Sequence, residues 1–339
     1  MSTTMARTAA AATAAPGRRS GARRLLQARE SGVFGALVLL FIIGSVVSPS
    51  FIQGDNLLSV GQQISQIGIM AVGATFVIIN GEIDLSVGSI YALGAIVTGL
   101  AIDSGTAWPL AILFGLLAGT LAGALNGAAT VFLGIPSFIV TLGTLSVFRG
   151  VTLLISNGAP ISLSDSVPGV AEFSLIGQGR LGVVPMQLIL FAVVVAVGVV
   201  LLSRSRLGFN TYAVGGNAEA ARLVGINIKR VKLTAFVLSG FCAAAAGVLG
   251  LSFLSYVQGV TGTGLELTVI SAVIIGGAAL FGGSGTMWGT VIGVTFIGLL
   301  QNILNINGIS SFWQTVVTGA VIIIAVAADA WQRRRAIRA

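Results

Sequence analysis

The chain has 339 residues, of which 55% are hydrophobic and only 8% are charged, and its formal net charge is +8. A charged fraction this low excludes a soluble globular domain and predicts an integral membrane protein. The single cysteine, Cys242, and the absence of histidine exclude disulfide frameworks, Cys or His metal sites and His-based catalysis.

The basic residues are concentrated in three short blocks. Residues 1–31 hold six arginines against one glutamate, residues 204–233 hold six basic residues against one glutamate, and residues 331–339 hold four arginines. Basic residues confined to a few loops are typical of the cytoplasmic side of a membrane protein and require no nucleic-acid partner. We therefore predict a disordered basic cytoplasmic tail at 1–31, a cytoplasmic loop at 204–233 and a second basic cytoplasmic tail at 331–339.

Between the tails, the chain contains about ten apolar segments near the length of roughly 20 residues that a membrane-spanning helix needs. They are 33–48, 61–80, 84–102, 108–132, 136–156, 187–203, 234–256, 265–281, 287–306 and 312–330. With the N-terminus inside, this count places all three basic blocks on the cytoplasmic face. The sequence thus predicts an all-α polytopic membrane protein with about ten transmembrane helices, both termini cytoplasmic, and a transmembrane domain at 32–330. Residues 157–186 are then an external loop that serves as a lid or a docking rim.

A short internal similarity suggests an inverted repeat. Asp84-Leu-Ser-Val is echoed by Glu266-Leu-Thr-Val, each at the start of a predicted span. Under the predicted topology the first begins at the cytoplasmic face and the second at the external face. A five-plus-five arrangement would produce such a pair, as it does in many transporters.

Within the central basic loop, Asn217 to Gly225 has the pattern of a short helix. Asn217 can cap its N-terminus, Glu219 lies in its first turn, and Gly225 can end it. A short helix on a cytoplasmic loop is suited to docking a partner, with Glu219 and Arg222 available for polar contacts and Leu223 and Ile226 for apolar contact. The alternative is a plain basic loop that anchors the chain to the membrane surface.

The polar stretch 80–89 carries two acids, Glu82 and Asp84, between apolar segments. Acids at membrane depth are costly and usually face a cavity or a partner. One interpretation is structural, with Asp84 as a helix N-cap and Ser86 and Ser89 bonded to nearby backbone groups. The others are a substrate path or gate, and proton coupling. Residues two apart do not share a helix face, which argues against a paired-carboxylate catalytic site.

Further polar side chains lie inside the predicted spans. They are Gln62, Gln63, Gln66, Asn126, Thr141, Thr144, Gln301, Asn302 and Asn305. Amides and hydroxyls suit a neutral sugar or polyol, which needs hydrogen bonds and no counter-charge. Hydrogen bonding between helices explains the same residues equally well.

The glycine-rich stretch 276–286 resembles a phosphate-binding loop only superficially. A Walker A loop requires a lysine after its second glycine, and the chain has lysines only at positions 229 and 232. We therefore expect no nucleotide or other cofactor in this chain and a tight cytoplasmic turn at this stretch.

Three stretches together resemble the permease subunit of bacterial ATP-binding-cassette sugar importers of the ribose, xylose and galactose group. Gly81-Glu-Ile-Asp-Leu-Ser-Val-Gly-Ser89 resembles that group's Gly-Gly-x-Asp-Leu-Ser-Val-Gly-Ser motif, with Glu82 where glycine is common. Gly215-Gly-Asn-x-Glu-Ala-Ala-x-x-x-Gly-Ile226 resembles its cytoplasmic docking loop. Ile275-Gly-Gly-Ala-Ala-Leu-Phe-Gly-Gly-Ser-Gly285 resembles its glycine-rich turn. The similarity extends over roughly residues 35–330.

The resemblance implies a multi-pass permease in the bacterial cell membrane that transports a monosaccharide or polyol and catalyses no reaction itself. Its partners would be an ATPase subunit that binds ATP and Mg²⁺, a periplasmic or lipid-anchored substrate-binding protein, a second permease copy, identical or different, and membrane lipid. The implied coupling residues are Gly208, Asn217, Glu219, Ala220, Ala221, Arg222, Gly225 and Ile226. The predicted substrate-path residues are Glu82, Asp84, Ser86, Ser89, Gln62, Gln66, Asn126, Gln301, Asn302 and Asn305. An ion-coupled secondary transporter, and a permease for branched-chain amino acids or nucleosides, are the alternatives.

Overall fold

The computed structural model describes residues 30–164 and 166–338, which form thirteen helices and four two-residue strands. The helices are α1 (Glu30–Val47), α2 (Gly54–Ile79), α3 (Val87–Asp103), α4 (Trp108–Phe132), α5 (Ser137–Ile155), α6 (Val170–Gln178), α7 (Met186–Arg204), α8 (Arg206–Gly216), α9 (Ala218–Leu223), α10 (Ile228–Leu254), α11 (Leu265–Ile275), α12 (Met287–Ile306) and α13 (Ser311–Arg338). The strands are β1 (Ile161–Ser162), β2 (Arg180–Leu181), β3 (Val184–Pro185) and β4 (Tyr256–Val257). Nearly all of the tail predicted at 1–31 lies outside the described residues.

The prediction of a mostly helical membrane protein is confirmed. Each of the ten predicted spans overlaps one of these helices. Among the described residues, six helices are long and apolar enough to cross a membrane by length and composition: α2, α4, α5, α7, α10 and α12. The apolar parts of α1, α3 and α11 are shorter. The stretch predicted as a second tail, 331–339, continues α13 as far as Arg338.

The centre of the protein is α10, which packs against α2, α3 and α4. Glycines permit this packing because their backbones approach closely. A Cβ added at Gly240 of α10 would lie 2.2 Å from the carbonyl oxygen of Gly119 on α4, and one at Gly123 would lie 2.2 Å from that of Phe236. Small residues at helix contacts are the usual means of tight association in membranes. By contrast, α5 exposes many of its large apolar side chains, including Ile139, which is 56% exposed.

The predicted external loop is a folded region fixed to the end of α10. β1 pairs with β4 in antiparallel register, with Ile161 opposite Val257, and β2 pairs with β3. Between them, α6 buries Phe173 fully, and the backbone N–H of Gly177 donates to Ser252 Oγ at 2.8 Å.

Two non-helical segments enter the bundle, and each is followed by a helix. Residues 80–86 precede α3, and residues 258–264 precede α11. With 11 residues, α11 is only about 16 Å long at 1.5 Å per residue. The span predicted at 265–281 is therefore wrong at its end, because α11 stops at Ile275. Gly277, Gly282 and Gly283 have positive φ angles and form a tight turn there.

Candidate coupling surface and transport route

The basic loop 204–233 contains the short helix that its sequence predicts. The side chain of Asn217 accepts a hydrogen bond from Ala220 N at 3.0 Å, which caps the N-terminus of α9. The chain leaves α9 through Gly225, whose φ of 86° suits glycine. Glu219, Ala220 and Arg222 are exposed on this short helix.

Two apolar side chains project from the end of α9. Leu223 is 86% exposed and Val224 is 77% exposed. Ile226, which was expected beside Leu223 on this surface, instead packs against a small buried cluster that contains Ala221. Val224 takes its place on the exposed tip, and sequence reasoning had not singled it out.

Gly208 has a different environment from the other predicted coupling residues. It is buried in α8, and a Cβ there would lie 1.9 Å from the carbonyl oxygen of Leu202 at the end of α7. Only glycine permits α8 to fold back so closely on α7.

The loop is attached to the rest of the bundle through α8. The hydroxyl of Tyr212 donates to Gly285 O at 2.7 Å. Gly215 lies so close to the end of α2 that a Cβ would be 1.7 Å from Ile79 O, and the same oxygen accepts from Gly283 N at 2.9 Å. The loop 204–233, the end of α2 and the glycine-rich turn therefore form one packed surface.

An ion pair connects this surface to the segment 80–86. Lys232 Nζ, in the first turns of α10, donates to Glu82 Oε1, and the Glu82 side chain is only 12% exposed. No local pattern indicates this pairing, because the two residues are 150 positions apart.

Deeper in the bundle, Asp84 is the centre of a buried hydrogen-bond network. Its Oδ1 accepts from the N–H and the hydroxyl of Ser86, at 3.0 and 2.6 Å. Its Oδ2 accepts from the hydroxyl of Ser239 on α10 at 2.8 Å. Asn126 on α4 donates to Ser86 Oγ at 2.7 Å, and Ser89 donates to Ser86 O. The interpretation of Asp84 as the N-cap is wrong by two residues, because Ser86 occupies that position.

Helix α5 is hydrogen-bonded to both non-helical segments. At its start, Ser137 Oγ accepts from Ile83 N and Thr141 Oγ1 donates to Ile83 O, each at 3.2 Å. Twelve positions after Ser137, Arg149 Nη1 donates to Gly259 O at 2.9 Å and to Thr261 O at 2.7 Å. Thus α5 joins the segment 80–86 to the segment 258–264 that precedes α11.

The two helices that follow these segments meet at their N-termini. A Cβ added at Gly88 of α3 would lie 2.5 Å from Gly262 O and 2.4 Å from Glu266 Oε2. Glu266 Oε1 accepts from Gly264 N at 3.1 Å. The two similar stretches that contain Asp84 and Glu266 therefore lie at the starts of helices that are in direct contact.

The predicted amide faces form pairs between helices. Gln66 accepts from the Tyr91 hydroxyl at 2.9 Å and donates to Gln187 at 3.3 Å. Gln63 donates to Gln301 at 3.5 Å, and Asn302 exchanges two hydrogen bonds with Asn56. Among the described residues, Gln62 and Asn305 join none of these pairs.

The described residues contain no group of three or more His, Cys, Asp or Glu side chains that could hold a metal ion.

Comparison with known proteins identifies the family of this arrangement. The family described as "Branched-chain amino acid transport system / permease component" matches residues 56–326. The ribose import permease protein RbsC of Bacillus subtilis is 42% identical over 301 residues, which cover 89% of this chain and 92% of that protein. RbsC of Escherichia coli K12 is 37% identical, covering 92% and 97%. The autoinducer 2 import system permease LsrC of an Enterobacter species is 34% identical, covering 93% and 91%.

No solved structure matches the chain significantly. The family match and the relatives agree with a helical bundle that has an apolar exterior. The chain belongs to this family of importer permeases: it is a non-catalytic, multi-pass subunit of the bacterial inner membrane that works with an ATPase in a separate chain.

Proposed function

We propose that this chain is the transmembrane subunit of an ATP-binding-cassette importer for a monosaccharide, ribose first, or for a polyol. The observation that carries the proposal is the relationship to ribose import permeases, at 37–42% identity over most of both chains. The amide and hydroxyl side chains inside the bundle support a neutral, hydroxylated substrate, because such groups bind by hydrogen bonds alone.

The proposed topology has ten crossings with both termini cytoplasmic. Three contacts support it by gathering predicted cytoplasmic parts: Glu82 with Lys232, Tyr212 with Gly285, and Ile79 with Gly283. The pairing of β1 with β4 gathers two predicted external parts. The contact between the starts of α3 and α11 supports a five-plus-five inverted repeat.

In the proposed mechanism, the ATPase engages the exposed surface of α9. Leu223 and Val224 would insert into an apolar pocket of the ATPase, while Glu219 and Arg222 make polar contacts at its rim. Apolar anchors surrounded by polar groups are the usual source of affinity in such interfaces. Closure of the ATPase on ATP would then move α8 and the start of α10.

The contacts of the segment 80–86 suggest how that movement reaches the transport route. Lys232 would displace Glu82, Ile83 would carry the shift to α5, and Arg149 would carry it to the segment before α11. The buried Asp84 network keeps α3, α4 and α10 together during this movement. We assign Asp84, Ser86, Ser89 and Asn126 to that structural role, and Glu82 to coupling.

The proposed assembly contains two permease copies, two ATPases and a periplasmic or lipid-anchored binding protein. The folded region formed by β1–β4 and α6 would receive the binding protein. The exposed apolar face of α5 would lie against the second copy or membrane lipid.

The family description gives a specific reason to consider branched-chain amino acids as a second substrate class. Such a substrate carries two opposite charges, and its site would need charged or strongly polar partners for both.

Reconstitution tests both possibilities. The permease, its ATPase and its binding protein would be placed in proteoliposomes, and uptake of labelled ribose and leucine would be measured with and without ATP. We expect ATP-dependent ribose uptake that is lost in the double variant Glu219→Ala/Gly225→Val. Unchanged ribose uptake in that variant counts against α9 as the coupling element. Uptake of leucine alone supports the second class, and uptake driven by an ion gradient without the ATPase overturns the importer proposal.

A further inference from the structure

A cleft that contains several hydroxyl and amide side chains lies between α11, α12 and α13. It has a volume of about 400 Å³ and is lined mainly by hydroxyl and amide side chains, with a few leucines and glycines. The polar members are Thr263, Thr268, Gln301, Ser311, Gln314, Thr315 and Thr318. No charged side chain lines it.

The hydrogen bonds of these side chains leave capacity for a ligand. Thr315 and Thr318 each donate to a carbonyl oxygen of their own helix, at 3.1 and 2.8 Å, so their hydroxyl oxygens can still accept. Gln301 accepts from Gln63 through Oε1, and its Nε2 donates to no described residue. The cleft thus offers several acceptors and an amide donor without any net charge.

A neighbouring cleft provides a contrast. It lies between α1, α2, α7 and α12, has about 460 Å³, and is lined by Leu37, Phe41, Leu57, Leu188 and other apolar residues, with Thr295 as its one hydroxyl. Such a lining suits lipid acyl chains. The cleft between α11, α12 and α13 differs because seven hydroxyl and amide side chains line it, and their oxygens can accept hydrogen bonds from a hydroxylated ligand.

We propose that the cleft between α11, α12 and α13 binds a neutral polyhydroxylated ligand, a monosaccharide, during its passage through the permease. This inference rests on the proposed function and adds the site. The lining matches the ligand class, since sugar hydroxyls both donate and accept, and the volume lies within the ordinary range for small-molecule sites.

The position of the cleft connects it to the moving parts. Thr263 and Gly264, which line it, belong to the non-helical segment before α11. Arg149 holds the same segment through Gly259 and Thr261. A shift of α5 therefore changes the shape of the cleft, so that ligand affinity depends on the state of the ATPase.

Removing the hydroxyls without changing side-chain shape tests the site. In proteoliposomes with the ATPase and binding protein, Thr315→Val and Thr318→Val should each lower ATP-dependent ribose uptake at low concentration by about 2- to 10-fold, the worth of one hydrogen bond. The matched control is Thr295→Val in the apolar cleft, which should leave uptake unchanged. The empty binding protein should still stimulate ATP hydrolysis in all three variants. This stimulation shows that each variant is folded and docks its partners.

A labelling experiment gives a second readout. The only cysteine, Cys242, is buried, so Thr315→Cys introduces one accessible thiol. A hydrophilic maleimide should label it, and ribose with its binding protein and ATP should slow the labelling, whereas Thr295→Cys should remain unlabelled.

The outcomes separate the two proposals. Absence of ATP-dependent ribose uptake in the unaltered protein overturns the proposed function. Normal uptake in the unaltered protein, with unchanged uptake in Thr315→Val/Thr318→Val, overturns the cleft alone. So does equal loss of uptake in Thr295→Val, or labelling of Thr315→Cys that ribose does not affect.

Discussion

Lys232 and Glu82 form an ion pair that joins the first turns of α10 to the segment leading into α3. Both side chains are largely buried. In the sugar-permease motif that this segment resembles, glycine is common at the position of Glu82. The pair therefore replaces a flexible position with an electrostatic link between α10 and the segment 80–86.

Neutralising one partner of this pair should uncouple the importer. In Glu82→Gln, an unpaired lysine remains, with a cost of about 1–3 kcal/mol in the free energy of unfolding. We expect more ATP hydrolysed per sugar transported, measured as the ratio of the two rates in proteoliposomes. The exchange Glu82→Lys/Lys232→Glu should restore part of the ratio. If Glu82→Gln keeps the ratio of the unaltered protein, the pair has no role in coupling.

The cap of α9 should control docking. Asn217→Ala removes the side-chain acceptor for Ala220 N, which destabilises a helix by about 0.5–2 kcal/mol. We expect weaker binding of the ATPase by a similar free energy, measured by titrating labelled ATPase onto the permease in nanodiscs. Asn217→Ser, which retains a capping oxygen, is the matched control. Equal affinities for the alanine and serine variants would show that the cap does not position α9.

The Asp84 network predicts a loss of stability rather than a change of substrate affinity. Asp84→Ala leaves the hydroxyl donors of Ser86 and Ser239 without their acceptor, and buried unsatisfied groups cost about 1–3 kcal/mol each. The thermal midpoint in detergent should fall by several degrees. The Asp84→Ala molecules that fold and remain in the membrane should have the same KM for ribose as the unaltered protein. A raised KM with an unchanged midpoint would return Asp84 to the substrate path.

The contact between the starts of α3 and α11 should not tolerate a methyl group. Gly88→Ala places a Cβ within 2.5 Å of Gly262 O, so the two helices must separate. We expect poor expression or a lowered thermal midpoint. Gly35→Ala in α1, where no atom lies within 4 Å of the added Cβ, is the control. Equal stability of the two variants would contradict the close approach.

Local features were predictable from the sequence, and long-range contacts were not. The capped helix from Asn217 and its end at Gly225 depend on residues a few positions apart, so a local pattern suffices. The partners of Asp84 and Glu82 lie on α10, more than 100 positions further along the chain. The hydrophobic stretches between them do not indicate which residues come into contact. The end of α11 was missed because the glycine-rich turn contains apolar residues such as Leu280 and Phe281, which extend the hydropathy signal beyond Ile275. Ile226 was placed outward because the sequence does not show that Ala221 and Val231 form a buried cluster beneath α9.

The shortness of α11 has a consequence for the synthesis of the protein. A helix of 11 residues is about half the length that the insertion machinery recognises as a span. α10 and α12 each have enough apolar length to enter the bilayer as they emerge from the ribosome. α11 does not, so its integration waits until both neighbours are in place. Truncated nascent chains that end before α12 should therefore leave Leu265–Ile275 outside the membrane.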